Sequence, residues 1–260
     1  MALNISSIHR IAGNEEKREL ANALGNSPET ALAVHLLRKG NGDAYVAGAL
    51  PDFHAAIIED YDVGPELLAF GSDIPAFINI LYEMDGWDIV NAPRPIATEL
   101  SAAIRSQMHL SVHMIDDIYQ VPAGVVASFR NPDVRMLTRE DIPLLEQTPD
   151  DIRDSFEDDL ELVFREELVA GAVLPGRIVS IAATYGYQEK YVDVAISTLE
   201  EFRGRGYARA AASLIAAKVQ EAGRVPIWSC APTNLSSLAV AAKLGFHEVS
   251  RRINIVLDGA

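Results

Sequence analysis

The sequence predicts an α/β protein built in two parts. Three observations carry that expectation. Strand-like and helix-like apolar patterns alternate along the chain. A turn-rich run, VPAGVVASFRNPD over 121–133, separates them into two patterned halves, so domains are expected at 1–132 and 133–260. In the second half a strand, a glycine-bearing turn and an alanine-rich helix follow one another directly from Asp193 to Glu221. A length of 260 residues suits two modest domains, and 49% apolar residues excludes a disordered chain.

In the first half, helical patterns cover Asn14–Leu24 and Ser27–Lys39. Ser27-Pro28-Glu29 reads as an N-cap, a proline at the first helical position and an acidic first turn. Strand-like runs follow at Ala44–Leu50, His54–Ile58 and Leu67–Phe70, then a helix near Ile74–Met84. A strand at Trp87–Val90, a helix at Ala97–His109 and a strand at Ser111–Tyr119 complete this half, which carries no catalytic motif.

The second half begins with a short strand, Val134–Leu137, and a helix from Thr138 to about Glu146. Residues 140–167 hold 12 acidic side chains against two Arg, and Ile152, Phe156, Leu160 and Val163 form an apolar helical stripe within them. Strands are expected at Leu168–Leu174, Arg177–Tyr185 and Tyr191–Thr198. A helix at Tyr207–Glu221, a strand at Pro226–Cys230, a helix at Leu235–Leu244 and two closing strands within Phe246–Val256 follow.

Charge narrows the partners. With 22 basic and 37 acidic residues the chain carries −15, which repels phosphate backbones, so nucleic acid is not expected. One cysteine, Cys230, rules out an intrachain disulfide and suits a reducing compartment. The start, MALNISSIHR, does not read as a signal peptide, and no stretch reaches the ~18–20 apolar residues of a membrane span. A cytoplasmic protein without a membrane partner is the expectation.

Chemistry concentrates at DVAISTLEEFRGRGYA, 193–208. Arg203, Gly204, Arg205, Gly206, Tyr207 and Ala208 set unhindered backbone N–H groups at a helix N-terminus, where the dipole favours negative charge. That is a diphosphate cradle. It fits neither G-x-G-x-x-G/A, since Arg209 takes the sixth position from Gly204, nor a P-loop, which ends in G-K-[ST].

The run does fit R-x-x-G-x-A, from Arg203 through Gly206 to Ala208, and there the sequence resembles the GNAT superfamily of acyl-CoA-dependent N-acyltransferases. Downstream, Asn234-Leu-Ser-Ser237 and Lys243-Leu-Gly-Phe246 resemble the signature that closes GNAT domains. The resemblance covers 133 to about 257, and the run IWSCAPTN resembles the zwittermicin-resistance-like branch, in which an extra N-terminal domain precedes the GNAT domain. A degenerate second copy of the fold is the form that tandem relatives suggest for the first half.

The resemblance implies acetyl-CoA as donor, with no metal, and transfer to the amine of a small molecule in antibiotic resistance or natural-product tailoring. It implies that Ile196, Ser197 and Thr198 bond the pantetheine and acetyl oxygen through their backbone, and that Asn234 and Ser237 border the donor. A homodimer is expected by analogy. Asp193, an acid inside an apolar strand, is the expected base for the attacking amine, against the alternative of a hydrogen-bonded structural Asp. Many relatives carry a proton-donating Tyr seven residues after the Asn; here Ala241 stands there, leaving water, Tyr185, Tyr187 or an unaided thiolate. That departure keeps a non-catalytic CoA-binding sensor or scaffold open as an alternative, beside a related enzyme using another acyl donor or reaction. Cys230 reads as a core residue, and His109 with His113 as a strand pair lacking the H-E-x-x-H of a zinc helix.

Overall fold

The computed structural model describes residues 8–60, 66–153 and 159–259. In chain order, β1 (Ile8–Ile11), α1 (Asn14–Leu24), α2 (Ala31–Lys39), β2 (Gly42–Gly48), β3 (Phe53–Asp60) and β4 (Glu66–Gly71) come first. They are followed by α3 (Ile74–Tyr82), β5 (Ile89–Pro93), α4 (Arg94–Ala103), β6 (Val112–Pro122) and β7 (Val134–Met136). Next come α5 (Ile142–Leu145), α6 (Asp150–Arg153), α7 (Leu160–Glu166), β8 (Val169–Leu174), β9 (Arg177–Tyr185) and β10 (Tyr191–Thr198). The chain closes with α8 (Tyr207–Glu221), β11 (Val225–Cys230), α9 (Leu235–Lys243) and β12 (Phe246–Leu257). Its contacts gather into two compact units, Met1–Asp117 with Arg251–Ala260, and Ile118–Ser250. The turn-rich run 121–133 packs within the second unit: Val126 N–H donates to Gln220 Oε1 at 2.9 Å and Phe129 N–H to Ser213 Oγ at 3.1 Å.

In the first unit the strand order is β1-β2-β3-β4-β5 and then the C-terminal stretch of β12, with β4 and β5 parallel and the other neighbours antiparallel. Both faces are covered, so the central strands β3 and β4 bury consecutive apolar residues, Ala55–Ile58 and Leu67–Phe70, rather than alternate ones. Ala55, Ile57, Leu67 and Ala69 face the core that includes Phe77 and Leu100 of α3 and α4. Ala56, Ile58, Leu68 and Phe70 face Leu20, Val34 and Leu37 of α1 and α2. Each fully buried Ile or Leu here contributes about 1.5–3 kcal/mol.

The second unit orders its strands β6-β11-β10-β9-β8-β7. Val192 and Val194 pack on Ala211, Ile215 and Val219 of α8. On the other face Val169, Ile181 and Ala183 meet Leu145, Ile152 and Val163 of α5, α6 and α7. The units repeat one plan, an antiparallel pair whose second strand leads through a helix to a parallel neighbour: β3, β4, α3, β5 in one and β9, β10, α8, β11 in the other.

Several boundaries depart from the sequence expectation. β1 was not anticipated, being a four-residue strand carrying His9 and Arg10. Phe246–Leu257 is one strand and not two, because FHEVSRRINIVL holds no glycine or proline to turn it. The helix expected at Ala97–His109 starts three residues earlier, with Pro95 in its first turn, and ends in a π-helical turn at Ile104–Met108. After Thr138 a 3-10 turn precedes the four-residue α5. The 152–163 stripe is divided, since Asp159 takes a non-helical conformation and caps α7; Phe156 lies outside the described residues.

Candidate functional site

The parallel pair β10–β11 lasts for three positions, Tyr191–Val225, Val192–Pro226 and Asp193–Ile227. Beyond them β11 turns to pair with β6 through Trp228, Ser229 and Cys230, while β10 continues beside β9 to Thr198. The N–H of Leu199 bonds Val179 O at 3.0 Å, so strand alternation turns the backbone groups of Val194, Ile196 and Thr198 away from β9, towards the side where β11 has parted. The splay leaves an amide edge on β10 that can bind an extended ligand.

At the end of that edge lies a cavity of about 670 Å³. Ile196, Ser197, Thr198, Arg203, Gly204, Gly206, Tyr207, Ala208, Asn234 and Ser237 line it, which brings ten of the sequence-derived positions together. Gly204 and Gly206 take φ of 76° and 83°, the left-handed region in which a side chain is strained, and Gly206 caps the fifteen-residue α8. The loop is braced by its own side chains. Arg203 Nε donates to Thr198 O at 3.3 Å, and Arg205 Nη2 donates to Glu201 O at 3.0 Å. Arg177 and Arg205 stack on the Phe202 ring at 4.5 and 4.9 Å. The Glu201 carboxyl is held below its ordinary range by a backbone N–H and by Arg177, 2.8 Å away.

Two expected residues stand elsewhere. Arg205 does not line the cavity, because its guanidinium is spent on Glu201 O and Phe202. Asp193 lies back along β10, half-buried, where its Oδ2 accepts Ser229 Oγ at 3.1 Å and its Oδ1 the N–H of Val194 at 2.9 Å. Tyr185, directly opposite on β9, shares its face. Among the rest, Tyr207 is buried with its hydroxyl donating to Asp133 Oδ2 at 3.4 Å. Asn234 caps α9, accepting Ser237 N–H at 3.1 Å, and Trp228 Nε1 donates to Ser237 Oγ at 2.8 Å. Ala241 is fully buried in the apolar core beside α8, so α9 presents no hydroxyl there.

The cavity also contains residues that sequence reasoning missed. Phe129, Phe202 and Arg209 line it, as do Ser236, Ala239, Val240 and Lys243 on α9. The α9 set falls at i, i+3, i+4 and i+7, a helical face that the spacing could have revealed. Phe129 had no local signal. Arg203, Arg209 and Lys243 are the charged lining residues, so in a chain of −15 this cavity carries positive charge and no carboxylate. Among the described residues no group of three or more His, Cys, Asp or Glu gathers as metal ligands, and no helix is long and apolar enough to cross a membrane. His113 on β6 instead pairs with Asp258 at 2.7 Å, whose carboxyl Ser111 and His113 hold below its usual range.

Residues 169–252 match the family model described as GNAT acetyltransferase. Over 80 residues the chain is 42% identical to YdfB of Bacillus subtilis (strain 168), described as an uncharacterized N-acetyltransferase. That match covers 30% of this chain and 31% of the relative, so it spans about a third of the relative's length. Among solved structures, a GCN5-related N-acetyltransferase-like protein from Streptococcus suis 89/1591 superimposes with a TM-score of 0.69 at 21% identity, covering 94% of this chain and 100% of that one. A tandem GNAT protein from the clavulanic acid biosynthesis pathway gives 0.56 at 14% identity over 98% and 99%. The fold is that of the GCN5-related N-acetyltransferases, and the tandem neighbour fits a GNAT-like copy in the first unit.

Proposed function

We propose that the second unit binds acetyl-CoA and transfers its acetyl group to the amine of a small molecule. The observation that carries this reading is the cationic cavity opening onto the amide edge of β10. Its volume of about 670 Å³ suits a nucleotide-sized ligand. The diphosphate sits on the backbone N–H groups of Gly204–Ala208, and the thioester lies along Val194–Thr198. An amine nitrogen attacks the thioester carbonyl, the C–N bond forms, the C–S bond breaks and the thiolate leaves. Backbone N–H groups of β10 stabilise the oxyanion, and Asp193 takes the ammonium proton directly or through water.

A cationic acceptor is supported by α6. Ser197 Oγ donates to Asp151 O at 2.6 Å, which sets exposed Asp150 and Asp151 beside the β10 edge. Self-resistance to an amino antibiotic, or tailoring of a metabolite, in the cytoplasm is the setting that suits such an acceptor. Buried Ala241 favours a second reading, a sensor that binds CoA without turning it over.

Calorimetric titration with acetyl-CoA, with NADH as control, tests the first step; a panel of amines followed by CoA release and product mass tests the second. Saturable binding of acetyl-CoA alone with amine-dependent thiol release is expected. Binding without release on any amine would favour the sensor, and absence of binding would sink both readings.

A further inference from the structure

We propose that the first unit takes no donor, because Arg252 fills from within the opening that corresponds to the donor's place in the second unit; the comparison rests on the CoA reading above. The two units repeat one plan, and in each the parallel pair lasts three positions: Tyr191–Val225, Val192–Pro226 and Asp193–Ile227 in the second, Glu66–Ile89, Leu67–Val90 and Leu68–Asn91 in the first. Beyond Leu68, β4 stays with β3 as far as Gly71, while β5 stays with β12 as far as Pro93. A gap therefore opens between β4 and β5 as it does between β10 and β11. Ala69 is the first residue of β4 past the last pair, the place that Val194 holds on β10.

Arg252 stands opposite Pro93 on β12, 2% exposed, and its side chain reaches into that gap. Nη2 donates to Ala69 O at 2.6 Å and to Asn91 O at 2.9 Å, one carbonyl on each of the parting strands. Nε donates to Asn91 Oδ1, and the guanidinium lies 4.4 Å over the Phe70 ring. Asn91 is itself buried and fixed, its Nδ2 donating to Asn254 Oδ1 at 2.6 Å and to Asp117 Oδ2 at 3.2 Å. A buried guanidinium is costly unless acceptors meet its N–H groups, and here main-chain and amide oxygens do so. An extended ligand along this edge would have to displace the guanidinium from both strands.

The start of α3 is likewise spent. Ser72 and Asp73 alone join β4 to α3, where residues 199–206 join β10 to α8. The N–H groups of Ser72 and Asp73 both donate to His54 O, at 2.9 and 3.3 Å. Pro75 has no N–H, Ala76 N–H goes to Asp73 Oδ1 at 3.1 Å, and Phe77 N–H goes to Asp73 O at 3.0 Å. A diphosphate arriving here meets the Asp73 carboxylate and N–H groups already taken, whereas α8 starts from Gly206 without a side-chain cap.

Two measurements on the full chain test this. Calorimetry should give one acetyl-CoA per chain, and hydrogen exchange should slow on adding acetyl-CoA over 194–208 while staying unchanged over 66–73 and 89–93. Urea unfolding then reads the bridge itself. Arg252→Met keeps the apolar stem but strands the carbonyls of Ala69 and Asn91, so the folding equilibrium constant should fall about tenfold or more. Arg251→Met, next along the strand, breaks only a half-buried pair with Asp116 and should cost far less. A second equivalent of acetyl-CoA, slowed exchange over 66–73, or an Arg252→Met chain as stable as the wild type would overturn the inference. Slowed exchange in neither stretch, with no saturable binding, would sink the CoA reading of the second unit; the closure of the first would then stand or fall on the unfolding comparison.

Discussion

Replacing Gly206 by alanine tests the donor cradle most directly. At φ 83° an L-residue costs about 1–2 kcal/mol relative to glycine. A Cβ there would also meet Phe129 Cε1 at 3.3 Å, tighter than ordinary contact, whereas at Gly204, φ 76°, it meets nothing within 4 Å. Gly204→Ala therefore measures backbone strain alone, about 1 kcal/mol in urea unfolding. Gly206→Ala adds the push on Phe129, and we expect a further loss of about 0.5–1 kcal/mol. Because the same push shifts the N–H groups at the start of α8, acetyl-CoA affinity should fall about tenfold, the equivalent of about 1.4 kcal/mol. Phe129→Leu in the Gly206→Ala background should recover stability and leave affinity low, since the leucine removes the crowding and also the stacking partner of Arg209. If Gly206→Ala unfolds like Gly204→Ala and binds acetyl-CoA as the wild type does, Phe129 yields freely and the cradle does not depend on this geometry.

Asp193→Asn should lower turnover about 10²-fold or more while acetyl-CoA affinity holds within about twofold; unchanged turnover would make Asp193 the structural residue that its bonds to Ser229 and Val194 also allow. Asp141 accepts two bonds from Arg135, at 2.6 and 2.7 Å, and one from Thr138 N–H, and these hold its carboxyl below the ordinary range. A depressed carboxyl contributes stability above its unfolded pKa and loses it as pH falls through the folded one, so Asp141→Asn should cost about 1 kcal/mol at neutral pH and converge with the wild type in acid. Half-exposed Arg135 limits the size of that effect. Trp228→Phe should destabilise by about 1–3 kcal/mol, because it opens space beside Phe246 and removes the donor to Ser237 Oγ; thermal unfolding reads the loss.

Much of the second unit was legible because its signals are local. The glycine turn is a contiguous run, so Arg203–Ala208 could be recognised without any fold. Strands β8, β9 and β10 announced themselves by apolar runs between turns, with boundaries within a residue of those observed. The first unit was readable as α/β, and a second copy of the fold was expected there only from the resemblance to tandem relatives, since its β4–α3 loop is just Ser72 and Asp73 and holds no glycine motif.

The sequence alone determined the α/β class, the place of the glycine turn ahead of α8 and the alanine at 241. Tertiary structure decided which side chains share the cavity. Phe129, Arg209 and Lys243 are far apart in the chain and meet through the packing of α8 and α9 on the second unit's sheet. It also turned Arg205, expected in the cradle, out of the cavity and buried Arg252 between two parting strands. Periodicity reports which face of an element is apolar, and for a charged side chain the decision between solvent and interior belongs to the acceptors that another strand brings beside it.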